Sequence, residues 1–181
     1  MARKEIETLI VGGDDSNHAG TAKGEIIVAT FSFLQEDSIV KSFPNTRNYP
    51  ETLKWLDSTS RDYRYSLLTS EKYRHSDQNL VAIVPILIRG YMEENEIYSK
   101  CLKVFLDGRL QKGSRKIITD EFLGNFGIES IVVDNFIKKN TFAKNNFEKH
   151  PRCPAVVYHA DVLANHIYST SLENSRLVYT D

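Results

Sequence analysis

Leu102-Lys103-Val104-Phe105-Leu106-Asp107-Gly108 is the stretch on which the fold turns. It is a short, nearly continuous apolar run closed by a turn-forming pair. A helical pattern over residues 115–126 follows it, then a second apolar run, residues 128–133, ended by Asp134. Strand, helix and strand in that order read as two parallel strands joined by a crossover. Strands buried on both faces lose the polar alternation of a half-exposed strand, and these two have lost it.

Upstream the texture differs. Residues 6–13 and 25–34 are rich in Ile, Val, Thr and Phe and are separated by turn formers, which predicts an antiparallel pair with a long loop. In residues 61–69, Tyr63, Tyr65 and Leu67 alternate with Asp62, Arg64 and Ser66, the period of a half-buried antiparallel strand. Residues 50–56 suit a short helix. A longer helix capped by Ser76 or Asp77 should run through Leu80, Val84, Leu87 and Ile88 towards Tyr91, kinked at Pro85. Val162, Leu163, Ala164, Ile167 and Tyr168 mark a last amphipathic helix, with Asp161 at its start. Three meandering strands feeding a parallel unit make a mixed α/β sheet of five strands flanked by helices.

The 181 residues fit one domain, 1–181, with 41% hydrophobic and 26% charged side chains, enough apolar material for a core. Twenty-three basic against 24 acidic residues give a net charge of −1, so a polyanionic partner must be held by a local patch. Cys101 and Cys153 have neither zinc spacing nor disulfide-scaffold density, which suits a reducing compartment. The N-terminus lacks the apolar core of a signal peptide. The longest apolar run, residues 80–88, contains Pro85 and falls short of the ~20 residues that a bilayer crossing needs. A cytoplasmic protein with no membrane span is expected; the oligomeric state is not legible.

Carboxylates stand where elements end. Asp14 and Asp15 close the first strand, Asp107 closes the fourth and Asp161 opens the last helix. With the first and fourth strands parallel, these ends share one edge, where open α/β sheets bind ligands. An aspartate after a strand is commonly no more than a turn former or helix cap, so the set carries more than its members. Converging carboxylates need a cation, and hard oxygen donors favour Mg²⁺ or Mn²⁺. Two such ions ~4 Å apart activate water and stabilise a leaving oxygen in phosphodiester cleavage. Asp134 either joins this set or simply ends the fifth strand.

Three motifs carry a resemblance. Gly12-Gly13-Asp14-Asp15-Ser16-Asn17-His18-Ala19-Gly20 resembles the opening Asp-Glu segment of type 2 ribonucleases H. The run from Leu102 to Gly108 is similar to that family's later strand ending in Asp-Gly. Ala160-Asp161 with the following Val162-Leu163-Ala164-Asn165-His166-Ile167-Tyr168 resembles the segment supplying its last carboxylate. It is closer still to poorly characterised ribonuclease H-like proteins with Asp-Glu-Ser and Ala-Asp-Leu-Ile-Ala motifs. The resemblance spans residues ~10 to ~170. It implies a ribonuclease H-like sheet of order 3-2-1-4-5, with Asp14, Asp15, Asp107 and Asp161 as a catalytic set holding Mg²⁺ or Mn²⁺, two ions in all. The chain departs from the family in three places: Asn17-His18-Ala19-Gly20 replaces Gly-Arg-Gly, Asp15 replaces glutamate, and only twenty residues follow Asp161. Cleavage specifically at RNA–DNA junctions loses support from these departures; general phosphodiester hydrolysis does not.

Nucleic-acid contacts are expected from Asn17 and His18 beside the acidic pair, and from Lys138, Lys139, Lys144, Lys149 and Arg152, which lie among Phe136, Phe142 and Phe147. A solvated lysine-rich loop is the plainer reading of that stretch. Arg61, Arg64, Lys72 and Arg74, among Tyr63, Tyr65 and Tyr73, form a second basic stretch. His18, His159 and His166 lie near the carboxylates, but position alone does not make a base, and structural or solvent-exposed roles are favoured. The signatures of P-loop ATPases, Rossmann dehydrogenases, zincins and α/β-hydrolases are absent. Three functions compete: a divalent-metal-dependent nuclease acting on RNA, DNA or an RNA–DNA hybrid, a non-catalytic ribonuclease H-like module binding nucleic acid or protein, and a metal-dependent enzyme of smaller phosphorylated substrates.

Overall fold

A computed structural model describes residues 4–16, 25–41, 48–68, 76–107, 110, 113–122, 126–136 and 153–170. The chain runs β1 (Lys4–Asp15), β2 (Glu25–Ser32), a 3-10 turn (Gln35–Ser38), β3 (Val40–Lys41), α1 (Tyr49–Asp57), β4 (Arg61–Leu68) and α2 (Ser76–Glu94). It continues through β5 (Ile97–Asp107), α3 (Ser114–Phe122), β6 (Ser130–Phe136), β7 (Cys153–Pro154) and α4 (Ala155–Ser169).

Five strands form one mixed sheet in the order β4-β2-β1-β5-β6. The β1–β2 and β2–β4 pairs are antiparallel, and the β1–β5 and β5–β6 pairs are parallel. Counting only these five strands, the order is 3-2-1-4-5, as the ribonuclease H-like reading required. The run from Leu102 to Asp107 is the C-terminal half of β5, and its partner β1 is buried continuously from Thr8 to Asp14. Helices cover β1 on both faces, which is why its sequence shows no alternation.

On one face Leu9 and Val11 of β1, Ile27 and Phe31 of β2, and Leu102, Val104 and Leu106 of β5 meet Leu80, Val84, Leu87 and Ile88 of α2, with Ile118 and Phe122 of α3. On the other, Ile26 and Val28 of β2 and Tyr63 and Tyr65 of β4 pack on Ala160, Leu163, Ala164 and Ile167 of α4. Ile10 of β1 meets Val156 and Val157 at the start of that helix.

One local expectation changes, and one short ladder had none. Asp161 does not open the last helix: α4 begins at Ala155, so Asp161 lies well inside it. The seven residues from Ala155 to Asp161 are all buried, and a stretch buried on every side shows no amphipathic period from which to read a helix start. The two-residue ladder of β3 with β7, where Val40 pairs with Pro154 and Lys41 with Cys153, is too short to leave a periodic signal. Pro85 lies inside α2 as read. Among the described residues no helix is long and apolar enough to cross a membrane.

Candidate functional site

Gly12 sets the position of α4. A Cβ placed there would lie 2.3 Å from the carbonyl carbon and 2.4 Å from the carbonyl oxygen of Val156, closer than any side chain tolerates. The first turn of α4 therefore lies directly on β1. Thr30 of β2 fastens it, its hydroxyl donating to the Val156 carbonyl at 2.7 Å.

Two residues beyond Gly12, Asp14 lies on the same face of the strand, since side chains alternate. Its register partner on β2 is Val28, which packs on α4. Asp14 is 4% exposed, and the backbone N–H of Asp15 donates to its Oδ1 at 2.8 Å. Asp161, 6% exposed, is carried on α4, the helix that covers this face. One turn further along α4, the side-chain amide of Asn165 donates to Asp161 Oδ1 at 3.1 Å and to the Asp161 carbonyl at 2.7 Å.

Asp107 ends β5. Gly13 pairs with Leu106 in the parallel β1–β5 ladder, and Asp14 and Asp107 are the next residue of each strand. Neighbouring strands lie ~4.8 Å apart, and equivalent residues of a parallel pair share a face, so Asp107 extends from beside Asp14 on the α4 side. It is half-buried.

The pleat turns Asp15 the other way. Its register partner Ile27 belongs to the α2-side core, so Asp15 lies on the face opposite Asp14. Glu25 shares that face, because its partner Leu68 also packs there. Asn79 of α2, 3% exposed, donates to Glu25 Oε2 at 2.5 Å. The sequence reading singled out neither Glu25 nor Asn79, since an isolated Glu at a strand start and an Asn in a helix carry no motif. Asp134 is exposed and ion-paired with Arg115 at 3.2 Å. It sits two residues back from the strand end, its register partner being Phe105.

The histidines of α4 are held by aromatic neighbours. His159 Nδ1 lies 2.9 Å from the Thr52 hydroxyl of α1, and its ring stacks on Trp55 with centroids 4.3 Å apart. His166 stacks on Tyr49 at 3.4 Å. Burial lifts the Tyr158 phenol above its ordinary value, opposed by a backbone hydrogen bond at Asn48 and reinforced by the charges of Glu51 and Asp161. Tyr158 is therefore protonated at neutral pH. Cys101 is half-buried and Cys153 buried, and neither is in a disulfide.

Arg61 and Arg64 do not form an open basic surface. Arg61 pairs with Asp37 at 2.7 Å, and Arg64 with Asp62 and Glu94 at 2.8 Å each. Tyr63 and Tyr65 are core residues. Lys72 and Arg74 lie outside the described residues, as do Asn17, His18, Lys138, Lys139, Lys144, Lys149 and Arg152.

The acids offer only carboxylate oxygens, donors of the kind that Mg²⁺ and Mn²⁺ take. In its donor chemistry the set fits a hard divalent cation. It is not drawn together as a finished ligand shell: among the described residues no three His, Cys, Asp or Glu side chains are grouped so as to hold a metal ion.

No protein-family model and no curated protein matches the chain. Among solved structures, one from the complex of PCNA with RNase HII of Archaeoglobus fulgidus is similar, at 13% identity and a TM-score of 0.49. The match covers 89% of this chain and 73% of that one.

Proposed function

We propose that this chain is a divalent-cation-dependent nuclease that hydrolyses phosphodiester bonds in RNA, DNA or an RNA–DNA hybrid. The observation that carries the reading is the burial of two carboxylates, Asp14 and Asp161, on one strand and on the helix that covers its face. Carboxylates of like charge on one strand face and on the helix that covers it attract a divalent cation, and through it a phosphate.

Asp14, Asp107 and Asp161 would hold Mg²⁺ or Mn²⁺, two ions in the full site. A bound divalent ion supplies positive charge against the phosphoryl oxygens and makes water a better nucleophile. The Asp15 N–H donates to Asp14 and the Asn165 amide to Asp161. Asp15, turned to the opposite face but at the same strand end, would contribute to this site or orient its water. Asn17, His18 and the basic residues Lys138, Lys139, Lys144, Lys149 and Arg152 contact the phosphate backbone. The net charge of −1 leaves that attraction to local groups.

A calorimetric titration with Mn²⁺ tests the cation requirement. Binding by the wild type, lost in Asp14→Asn, is the expected result; absence of binding in the wild type contradicts it. A non-catalytic nucleic-acid or protein binding module is the second reading. It is favoured by the lack, among the described residues, of a grouped set of three ligating side chains. Such a module binds nucleic acid equally well in Mn²⁺ and in chelator and cleaves none of it.

A further inference from the structure

Asn165 occupies an unusual place. It lies in the interior of α4, where asparagine is a poor helix former because its amide competes for backbone groups. Here that amide donates twice to one residue. Nδ2 donates to the Asp161 carbonyl at 2.7 Å and to the Asp161 carboxylate Oδ1 at 3.1 Å. A carboxylate and a carbonyl only accept, so the NH₂ end of the amide must face them and the orientation of Asn165 is determined.

We infer that Asn165 is a positioning residue for the proposed cation site: it holds the Asp161 carboxylate in the single orientation that the site uses. This rests on the metal-dependent reading above. Three observations support it. Asp161 is buried, so its rotamer is set by protein contacts and not by bulk water. Asn165 is anchored twice, to main chain and to side chain of the same residue, which leaves the donated N–H little freedom. Its one-turn spacing from Asp161 is where i and i+4 side chains meet on a helix. Groups that hydrogen-bond a ligating carboxylate fix its direction, and their loss typically weakens metal affinity by ~10–100-fold.

A purely structural asparagine would behave differently. Leucine at this position is a better helix former than asparagine and has no donor, so a stability role and a positioning role separate. Glutamine restores an amide one methylene further out, and an i,i+4 Asp–Gln pair still forms a hydrogen bond.

The test is a Mn²⁺ titration by calorimetry on the full chain, with thermal melting in chelator run beside it, for wild type, Asn165→Leu, Asn165→Gln and Asp161→Asn. The inference expects Asn165→Leu to melt no lower than wild type while binding Mn²⁺ at least ~10-fold more weakly, with Asn165→Gln between the two. Asp161→Asn should bind weakest. If Asn165→Leu binds Mn²⁺ as wild type does while Asp161→Asn does not, the positioning role is overturned and the metal site stands. If Asn165→Leu loses affinity only in proportion to a large fall in melting temperature, and Asn165→Gln recovers neither, the role is structural and the inference is overturned. If the wild type binds no Mn²⁺, the metal reading fails and the inference fails with it.

Discussion

Gly12 and Val156 are in such close contact that a single added carbon on Gly12 would lie 2.3 Å from the Val156 carbonyl carbon. This contact brings the helix that bears Asp161 down onto the strand that bears Asp14. Gly12→Ala should therefore destabilise the fold by ~1–3 kcal/mol or more, because backbone and not a flexible side chain must move. It should also weaken Mn²⁺ binding, since α4 is displaced relative to β1. Chemical denaturation with a matched Mn²⁺ titration reads both. A wild-type denaturation midpoint would show that α4 does not rest on Gly12.

At the other end of the sheet, Asp37 is fully buried and receives Arg61, Ser32 and Trp55. Burial alone would raise its carboxyl; the hydrogen bonds from Arg61, Ser32 and Trp55 and the charge of Arg61 outweigh it and hold the pKa below 3.8. A carboxylate depressed in the folded state adds stability that is present above its unfolded pKa and is lost as pH falls through the folded one. Acid destabilisation should thus include an Asp37 contribution developing below pH 3.8, and Asp37→Asn should flatten that limb of a stability–pH profile. Arg61→Met, which strands the buried carboxylate, should cost ~3–5 kcal/mol at neutral pH. An unchanged profile in Asp37→Asn would refute the assignment.

Asp14 and Asp161 are buried acids that each accept a hydrogen bond, and a cation beside them would lower the repulsion between acids of like charge. In chelator, Asp14→Asn and Asp161→Asn should melt at or above the wild-type temperature; each kcal/mol relieved raises Tm by roughly 2–4 °C in a chain of this size. Adding Mn²⁺ at about 100 times its Kd should stabilise the wild type by ~2.7 kcal/mol and leave both variants unmoved. Differential scanning fluorimetry separates the two conditions. Variants that melt far below wild type in chelator would make these aspartates structural.

His159 lies two residues from Asp161, yet its partners are Thr52 and Trp55. His159→Ala should lower stability by ~1–3 kcal/mol through the lost hydrogen bond and stacking, with Mn²⁺ affinity preserved. Loss of Mn²⁺ binding without loss of stability would make it a site residue instead.

The strands were legible because their signals are local, a polar alternation around Tyr63 and Tyr65 and an apolar run around Val11, whereas the order 3-2-1-4-5 came from the resemblance; β5, read as buried on both faces, alternates between buried and half-buried residues. Asp14 and Asp107 were legible as residues at strand ends, and the ladder places them side by side; Asp161, read as the start of the last helix, lies inside it. The face that each occupies was less so. Asp15 follows Asp14 in sequence but is turned to the α2 side, a consequence of the pleat that a motif of adjacent acids hides. The arginines of the Tyr63 stretch read as a basic patch, because their partners Asp37 and Glu94 are distant in sequence. Asn165 was invisible for the same physical reason that makes it informative: a side chain that acts through another residue leaves no chemical signature of its own.

The most direct measurement is cleavage of end-labelled single-stranded RNA, single-stranded DNA and RNA–DNA hybrid in Mn²⁺ and in chelator, by wild type and by folded Asp14→Asn, Asp107→Asn and Asp161→Asn. The account expects cleavage of at least one substrate by the wild type in Mn²⁺, none in chelator, and a loss of at least ~100-fold in each variant, since every proposed ligand serves the same ion site. Cleavage that persists in chelator, or variants as active as wild type, or a folded wild type that binds nucleic acid and cuts none of the three, would contradict it.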